Sequence, residues 1–516
     1  MYRRDIGLEK TELEKREKCS RLLFWRPGIW LTAAGAVFLL IITLVPLLRL
    51  AMYAVPWYDD YMYAGIVKNF LAEDYSLLSA LKGALFGVRT EWFAFQGTFS
   101  SVFFMSLEPM IWGDRFYFLG PVFLIVILAV SVYVFMRTLV SCLFRAERPA
   151  GIALSAFASA MVLMLIYSAQ MGFYWHNGGL HYVGMHSFLL LLAAAWIKLL
   201  TGKPKPATAF LLVWSLLGAV LAGGANYVTA LQGILFGLSC IAIGILLRSK
   251  RTFLLIPSLA VYCLAFYINV SAPGNNVRKT VLGEGGIKGN AVAAVLNSFV
   301  EAVRYAVPFT GLITLAVMIL LAPLIWYIVK RTDFAFRFPG LVLLWSFCLY
   351  ATGFTPGLYA LGGVDLSRVL NAVKITFQLL LLFNEIYWLG YLEKHLKRKG
   401  KRSDEQRRPC VWWFYPLVGA AMLLIFSLTS NQAGSYSAYG AYYYIHTGEA
   451  YNFYQEYLER VEALKGEGTD ITVKPYVFKP WFLCVGELSD NPDAEPNRAI
   501  AVWYGKNSVV CIKENE

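Results

Sequence analysis

Two adjacent carboxylates, Asp59 and Asp60, stand in "VPWYDDYMYA" directly after a long apolar run, ringed by Trp57, Tyr58, Tyr61 and Tyr63. In such a pair, partial desolvation and mutual repulsion raise the pKa of one member, which suits a general base. Neighbours on a helix point about 100° apart, so one faces a site while the other supports it. The residues do not say which. The same pair also fits a plainer role, capping a helix that begins at Tyr61 and stabilising its dipole.

The elements that must position this pair are membrane spans. The 516 residues are 58% hydrophobic and 15% charged, well below the roughly 25% charge of soluble domains. Apolar runs of about 20 residues, enough to cross a bilayer, recur along the chain. They place eleven crossings at 27–50, 116–141, 150–169, 181–200, 207–223, 226–247, 252–270, 308–329, 338–354, 366–391 and 411–429. The expected fold is an all-α polytopic membrane protein with a small C-terminal α/β domain.

Charge sets the expected orientation. The segment 1–26 is too charged and too long to be a signal peptide, and reads as a basic cytoplasmic tail. Short basic loops such as "KLLTGKPKPA", "RSKRT" and "EKHLKRKGKRSDEQRRP" alternate to the same side, as the positive-inside rule requires. The net charge of +13 is therefore topology signal and attraction to anionic lipid. No soluble basic domain presents it to nucleic acid. Eleven crossings in the plasma membrane put 431–516 outside, beyond a transmembrane domain spanning 27–430. Cys484 and Cys511 in that segment follow strand-like runs and are equally readable as a disulfide or as two buried thiols.

On this topology the unusual sequence collects on the outer face. The first outer loop, 51–115, contains "DDYMYAGIVKNFLAED" and "YSLLSALKGALFGVRTEWF", both with helical periodicity. The loop 271–307 runs from "SAPGNNVRKT" through the glycine-rich "VLGEGGIKGN" to an amphipathic helix, and reads either as a lid or as a plain connector. In the C-terminal segment a Tyr-rich helical stretch precedes two β-type runs, "DITVKPYVFKPWFLCVG" and "NRAIAVWYGKNSVVCIK", split by a turn-rich break.

The acidic pair at the exit of the first span, the amphipathic first outer loop and the C-terminal domain together resemble GT-C membrane glycosyltransferases. More narrowly, "WYDDYMYA", "SAPGNNVR" and "NRAIAVWYGKNSVV" are similar to a group of bacterial multi-pass proteins near that family. The resemblance implies a sugar moved from a polyprenyl-phosphate (undecaprenyl-phosphate) donor to a cell-surface glycan or polymer, with inversion and with an Asp as base. It leaves a divalent cation open, since some members use one and others none. A phosphate leaving group calls for cations opposite the base. Arg278 and Lys279 are the first candidates, with Asn275 and Asn276 as sugar or phosphate ligands, although "APGNN" is also a good turn. Arg368 in "GGVDLSRVLNAVK" is a second candidate, and Arg115 in "WGDRF" a weaker one beside Asp114.

His176, His181 and His186 are spaced by five, about 140° apart on a helix, and so lack the i, i+4 arrangement of a helical zinc site. They read as interfacial residues around an "NGG" turn, with His176 and Asn177 also candidates for lining a sugar pocket. Glu108, Gln170 and Asn226 lie at the outer rim and read more readily as structural. Two other readings stay open: a flippase for lipid-linked sugars, or a polysaccharide polymerase or ligase.

Overall fold

The computed structural model describes residues 28–202, 207–281, 289–364, 366–398 and 436–512. The chain is an all-α polytopic membrane protein. Eight helical stretches are long and apolar enough to cross a bilayer, and two shorter apolar helices accompany them. The tail 1–26, the run 411–429 and the glycine-rich residues 282–288 lie outside the described residues.

The first helix, α1 (Ile29–Ala51), shows why the surroundings must be lipid. Trp30, Phe38, Ile41 and Ile42 are all exposed, while small residues such as Ala33 and Ala36 are buried. An exposed apolar band of this size is at home in hydrocarbon and unfavourable in water. The small buried residues let the backbone of α1 approach α6 (Arg148–Met164), whose inner face is likewise Ala, Gly and Ser. Between them in sequence lie α2 (Asp59–Glu73), α3 (Leu77–Ala94), α4 (Phe99–Ser106) and the long span α5 (Leu119–Cys142).

The bundle continues with α7 (Met185–Thr201), α8 (Ala207–Gly223), α9 (Tyr227–Leu246) and α10 (Ile256–Val270). Next come α11 (Gly274–Val281), α12 (Ala291–Arg331), α13 (Pro339–Ala351), α14 (Thr355–Leu361) and α15 (Ser367–Arg398). The sequence predicts an amphipathic helix at 291–307 and a separate span from 308, and α12 is accordingly two helical parts rather than one continuous helix. The two parts meet at a kink on Gly311, at φ 52°, three residues after Pro308.

The C-terminal segment corrects the sequence reading. Helices α16 (Ser437–His446) and α17 (Glu449–Lys465) form as expected, followed by a short strand, β1 (Asp470–Val473). The rest of the first β-type run is irregular, because Pro475 and Pro480 have no N–H to give a ladder. The second run begins as a helix, α18 (Glu495–Tyr504), with Pro496 in its first turn and Gly505 at φ 67° ending it. Its buried Asn497, Ile500, Ala501 and Trp503 follow helical rather than alternating spacing. Only β2 (Ser508–Cys511) is strand, and it pairs in parallel with β1, Asp470 opposite Ser508. Cys484 and Cys511 do not form a disulfide with each other.

One end of the bundle gathers the connecting loops. Ser100 N donates to Gly224 O at 3.0 Å, and Asn269 Nδ2 donates to Ala225 O at 2.7 Å. Gln170 Nε2 donates to the carbonyls of Trp481 and Cys484, both at 2.7 Å, and Ser437 Oγ to Leu163 O. Hence the loops predicted to share one face do meet, with the C-terminal segment stapled onto them.

Candidate active site

The two aspartates have separated roles. Asp60 is fully enclosed: Oδ2 accepts from Trp57 N at 2.8 Å and from the Tyr117 hydroxyl at 2.9 Å, and Oδ1 accepts from Asn177 N at 3.1 Å. Tyr117 in turn accepts from His176 N. Burial pushes the Asp60 carboxyl up, and these three donors hold it partly back. Asp60 thus ties the start of α2 to α5 and to the segment 174–177. Its lone pairs are occupied by the protein, which is the supporting role.

Asp59 is the other case. Its carboxylate is half-buried and makes no hydrogen bond or ion pair among the described residues. Burial raises its pKa above 3.8, Arg368 and Arg278 draw it down, and Glu495 of α18 pushes it up. Glu91 at the end of α3 feels the same charges, raised by burial and by Asp59 and lowered by Arg278. Three acids and two arginines from five separate elements therefore converge here.

Close backbone packing places Arg278. A Cβ on Gly97 would lie 1.8 Å from Asn269 O, and one on Gly274 would lie 2.6 Å from Phe95 N. Only glycines allow α11 to seat against the end of α3. Asn275 then locks the contact: Oδ1 accepts from Gly97 N and the Tyr227 hydroxyl, while Nδ2 donates to Asn269 O and Val270 O. One turn further on, Arg278 Nη1 donates to Gln96 Oε1 at 3.2 Å, with its guanidinium 5.0 Å from the Phe95 ring. Gln96 Nε2 completes the chain by donating to the Tyr63 hydroxyl at 2.6 Å.

Arg368, at the start of α15, lies 5.4 Å over the Trp175 ring. That ring precedes an unusual stretch: π-helical turns at Gln170–Tyr174 and Leu180–Gly184 flank a short helix, His176–Gly179. Such turns are uncommon and concentrate at functional sites.

Several candidates are not ligands in this arrangement. Asn275 has every polar atom committed to its neighbours, and Asn276 is exposed. "SAPGNNVR" is a docking helix with its glycine and amide at the contact, rather than a ligand-bearing turn. Arg115 is exposed and lies 4.7 Å from the Phe116 ring, while Asp114 pairs with Lys465 at 2.6 Å instead of with Arg115. The side chain of Lys279 lies outside the described residues. His176 packs its ring against Gly120, and its two nitrogens, like both polar atoms of the Asn177 side chain, are buried without a hydrogen-bond partner among the described residues. His186 joins Thr376 and Gln232 in a polar contact between helices. Asn226 caps α9, and Gln170 staples the C-terminal segment, as their structural reading expects. Among the described residues no group of three or more His, Cys, Asp and Glu is placed to hold a metal ion.

Sequence reasoning missed Glu91, Gln96, Tyr117 and Glu495, and named Tyr58 only as one of the aromatics around the pair. Tyr58 sits at φ 28°, a conformation that costs a non-glycine residue roughly 1–3 kcal/mol, and its hydroxyl donates to Glu495 Oε2 at 2.5 Å. Nothing in the linear sequence relates these two positions. Glu108, named at the rim, is more unusual than expected: it is fully enclosed, neither oxygen has a hydrogen-bond partner among the described residues, and burial and Asp60 both push it up. Beside Asp59 a cleft of about 1050 Å³ opens between α2 and α18, lined by Tyr58, Tyr63, Glu91, Asn69, Arg498 and Tyr504 among others.

No family model matches this chain, and no curated protein matches it.

Proposed function

We propose that the protein is a GT-C-type glycosyltransferase that moves a sugar from a polyprenyl-phosphate donor to a cell-surface glycan. It works on the outer face of the plasma membrane, with eleven spans, an internal amino terminus and 431–516 as an external domain. The observation that carries this reading is the Asp59 carboxylate: half-buried, without a hydrogen bond or ion pair among the described residues, and with its pKa drawn down by the charges of Arg368 and Arg278.

The chemistry follows from that placement. Asp59 accepts the proton of an acceptor hydroxyl as its oxygen attacks the anomeric carbon. The bond from that carbon to the phosphate oxygen breaks on the opposite side, so the configuration inverts. Arg278 and Arg368 neutralise the charge that develops on the departing lipid phosphate. Asp60 is a positioning residue, fixing the first turn of α2 and through it the aim of Asp59. Held in a partly desolvated site, Asp59 has the raised pKa that proton transfer near neutral pH favours.

One observation favours the flippase reading: α15 carries Asn371, Lys374, Gln378, Asn384 and Glu385 within a single span. Most of its amides are engaged within the bundle, however, Asn371 with Ser168, Gln378 with Leu165 and Asn384 with Leu380. Asn371 and Gln378 thus tie α15 to the segment 165–168 while Asn384 bonds within α15, so glycosyl transfer remains the better reading.

The test uses membranes containing the full chain and a panel of radiolabelled polyprenyl-phosphate hexoses. Transfer to endogenous glycan is expected with at least one donor and is lost in Asp59→Asn. Undiminished transfer by that variant overturns the assignment.

A further inference from the structure

The cleft between α2 and α18 has a wall chemistry of its own. We propose that it is a saccharide-binding groove, taking a neutral chain of sugar residues whose end is presented to Asp59. That this chain is the acceptor rests on the glycosyl-transfer reading; that the groove binds sugar does not.

Size is the first argument. About 1050 Å³ lies at the upper end of the roughly 300–1,000 Å³ of sites for drug-sized molecules, enough for several linked rings. Charge is the second. The cleft is lined by three acids, Glu91, Asp114 and Glu495, and three bases, Lys68, Lys465 and Arg498, and four of these six are engaged within the wall. Lys465 pairs with Asp114, Glu495 takes the Tyr58 hydroxyl, and Lys68 Nζ donates to Trp503 O at 2.5 Å while lying 4.2 Å over the Trp503 ring. Glu91 and Arg498 remain without an ion pair among the described residues, and they are opposite in sign. A wall so balanced exerts no net pull on a polyanion, and its charged groups are a poor lining for a polyprenyl tail.

What remains suits carbohydrate. The half-buried rings of Tyr58 and Tyr504 line it, Asn69 offers an exposed amide, and Met62 and Val502 supply apolar contact at the rim. Aromatic rings meet the CH faces of sugars while neighbouring amides and hydroxyls meet their hydroxyl groups. The groove also leads to the right place. Tyr58 precedes Asp59 in the chain, and the Asp59 charge acts on both Glu91 and Tyr63 in the groove wall.

The experiment titrates the full chain in detergent with neutral hexasaccharides (maltohexaose, cellohexaose and isomaltohexaose) and with a heparin hexasaccharide, by calorimetry. At least one neutral hexasaccharide is expected to bind. Asn69→Trp, which fills the cleft from an exposed helical position, is expected to weaken that binding tenfold or more with an unchanged melting temperature. Asp59→Asn is expected to bind within twofold of wild type. Failure of every neutral hexasaccharide to bind, preference for the heparin fragment, or equal binding by Asn69→Trp overturns the groove. Absence of transfer from every donor, with hexasaccharide binding intact, removes the enzymatic reading and leaves the groove standing.

Discussion

The Tyr58 hydroxyl donates to the Glu495 carboxylate at 2.5 Å, across 437 positions of sequence. The residue so held has a strained backbone at φ 28°, and its immediate neighbour is Asp59. A helix near the end of the chain therefore restrains the first turn of the helix that carries the candidate base.

If this bond holds the turn, Tyr58→Phe and Glu495→Gln each loosen it. Amide exchange at the start of α2 is expected to rise several-fold in either variant. The double variant is expected to add little, because both remove one interaction. Additive effects would show that the two residues act separately.

The two aspartates are expected to fail differently. Asp59→Asn loses no bond, so its melting temperature stays near wild type while transfer drops by about 10²–10⁴-fold, the range for loss of a positioned base. Asp60→Ala strands the Trp57 and Asn177 amides and the Tyr117 hydroxyl. Each buried unpaired donor costs about 1–3 kcal/mol, so a loss of about 3 kcal/mol or more is expected in thermal unfolding.

Transfer requires Asp59 ionised, so its rate is expected to rise with pH through a value above 3.8. Removing the largest cationic influence, in Arg368→Gln, disfavours the carboxylate and moves this limb to higher pH. Removing the acid, in Glu495→Gln, moves it lower. A pH–rate profile for each variant checks both signs, and equal limbs would separate these residues from Asp59.

Glu108 is held well above 4.5, so the folded state binds a proton that the unfolded state gives up. Its contribution to stability is present below 4.5 and is lost as pH rises toward the folded value. Asp59, Asp60 and Glu91 shift in the same direction. The protein is expected to melt higher at pH 5 than at pH 8. Glu108→Gln, which stays neutral, should shrink that difference; an unaltered difference would place the effect elsewhere.

Gly97→Ala puts a methyl group into the Asn269 carbonyl. Overpacking of this kind costs about 1–3 kcal/mol, and here it also lifts α11 away from α3. The expected result is lower thermal stability together with transfer reduced as in Arg278→Gln. Wild-type behaviour would mean that the seat of α11 is not shared with Arg278.

Much of the bundle was legible because lipid imposes one rule, length and apolarity, on each span. The acidic pair was legible because charge is rare in such a chain. Its division of labour was not, since Tyr117 and Asn177 reach Asp60 from distant spans. Arg278 stands out in the sequence for its charge, whereas the amide of Asn275, committed to its neighbours, looks alike as ligand or staple. The second β-type run failed as a strand prediction because Val and Trp favour strands, while Pro496 and Gly505 set helix limits that propensity overlooks.

The contact between α2 and α18 also has a consequence for a shortened chain. A chain cut before residue 495 lacks α18, and with it the carboxylate that takes the Tyr58 hydroxyl beside Asp59. On the proposed reading, a chain lacking this helix is expected to be inert toward the lipid-borne donor.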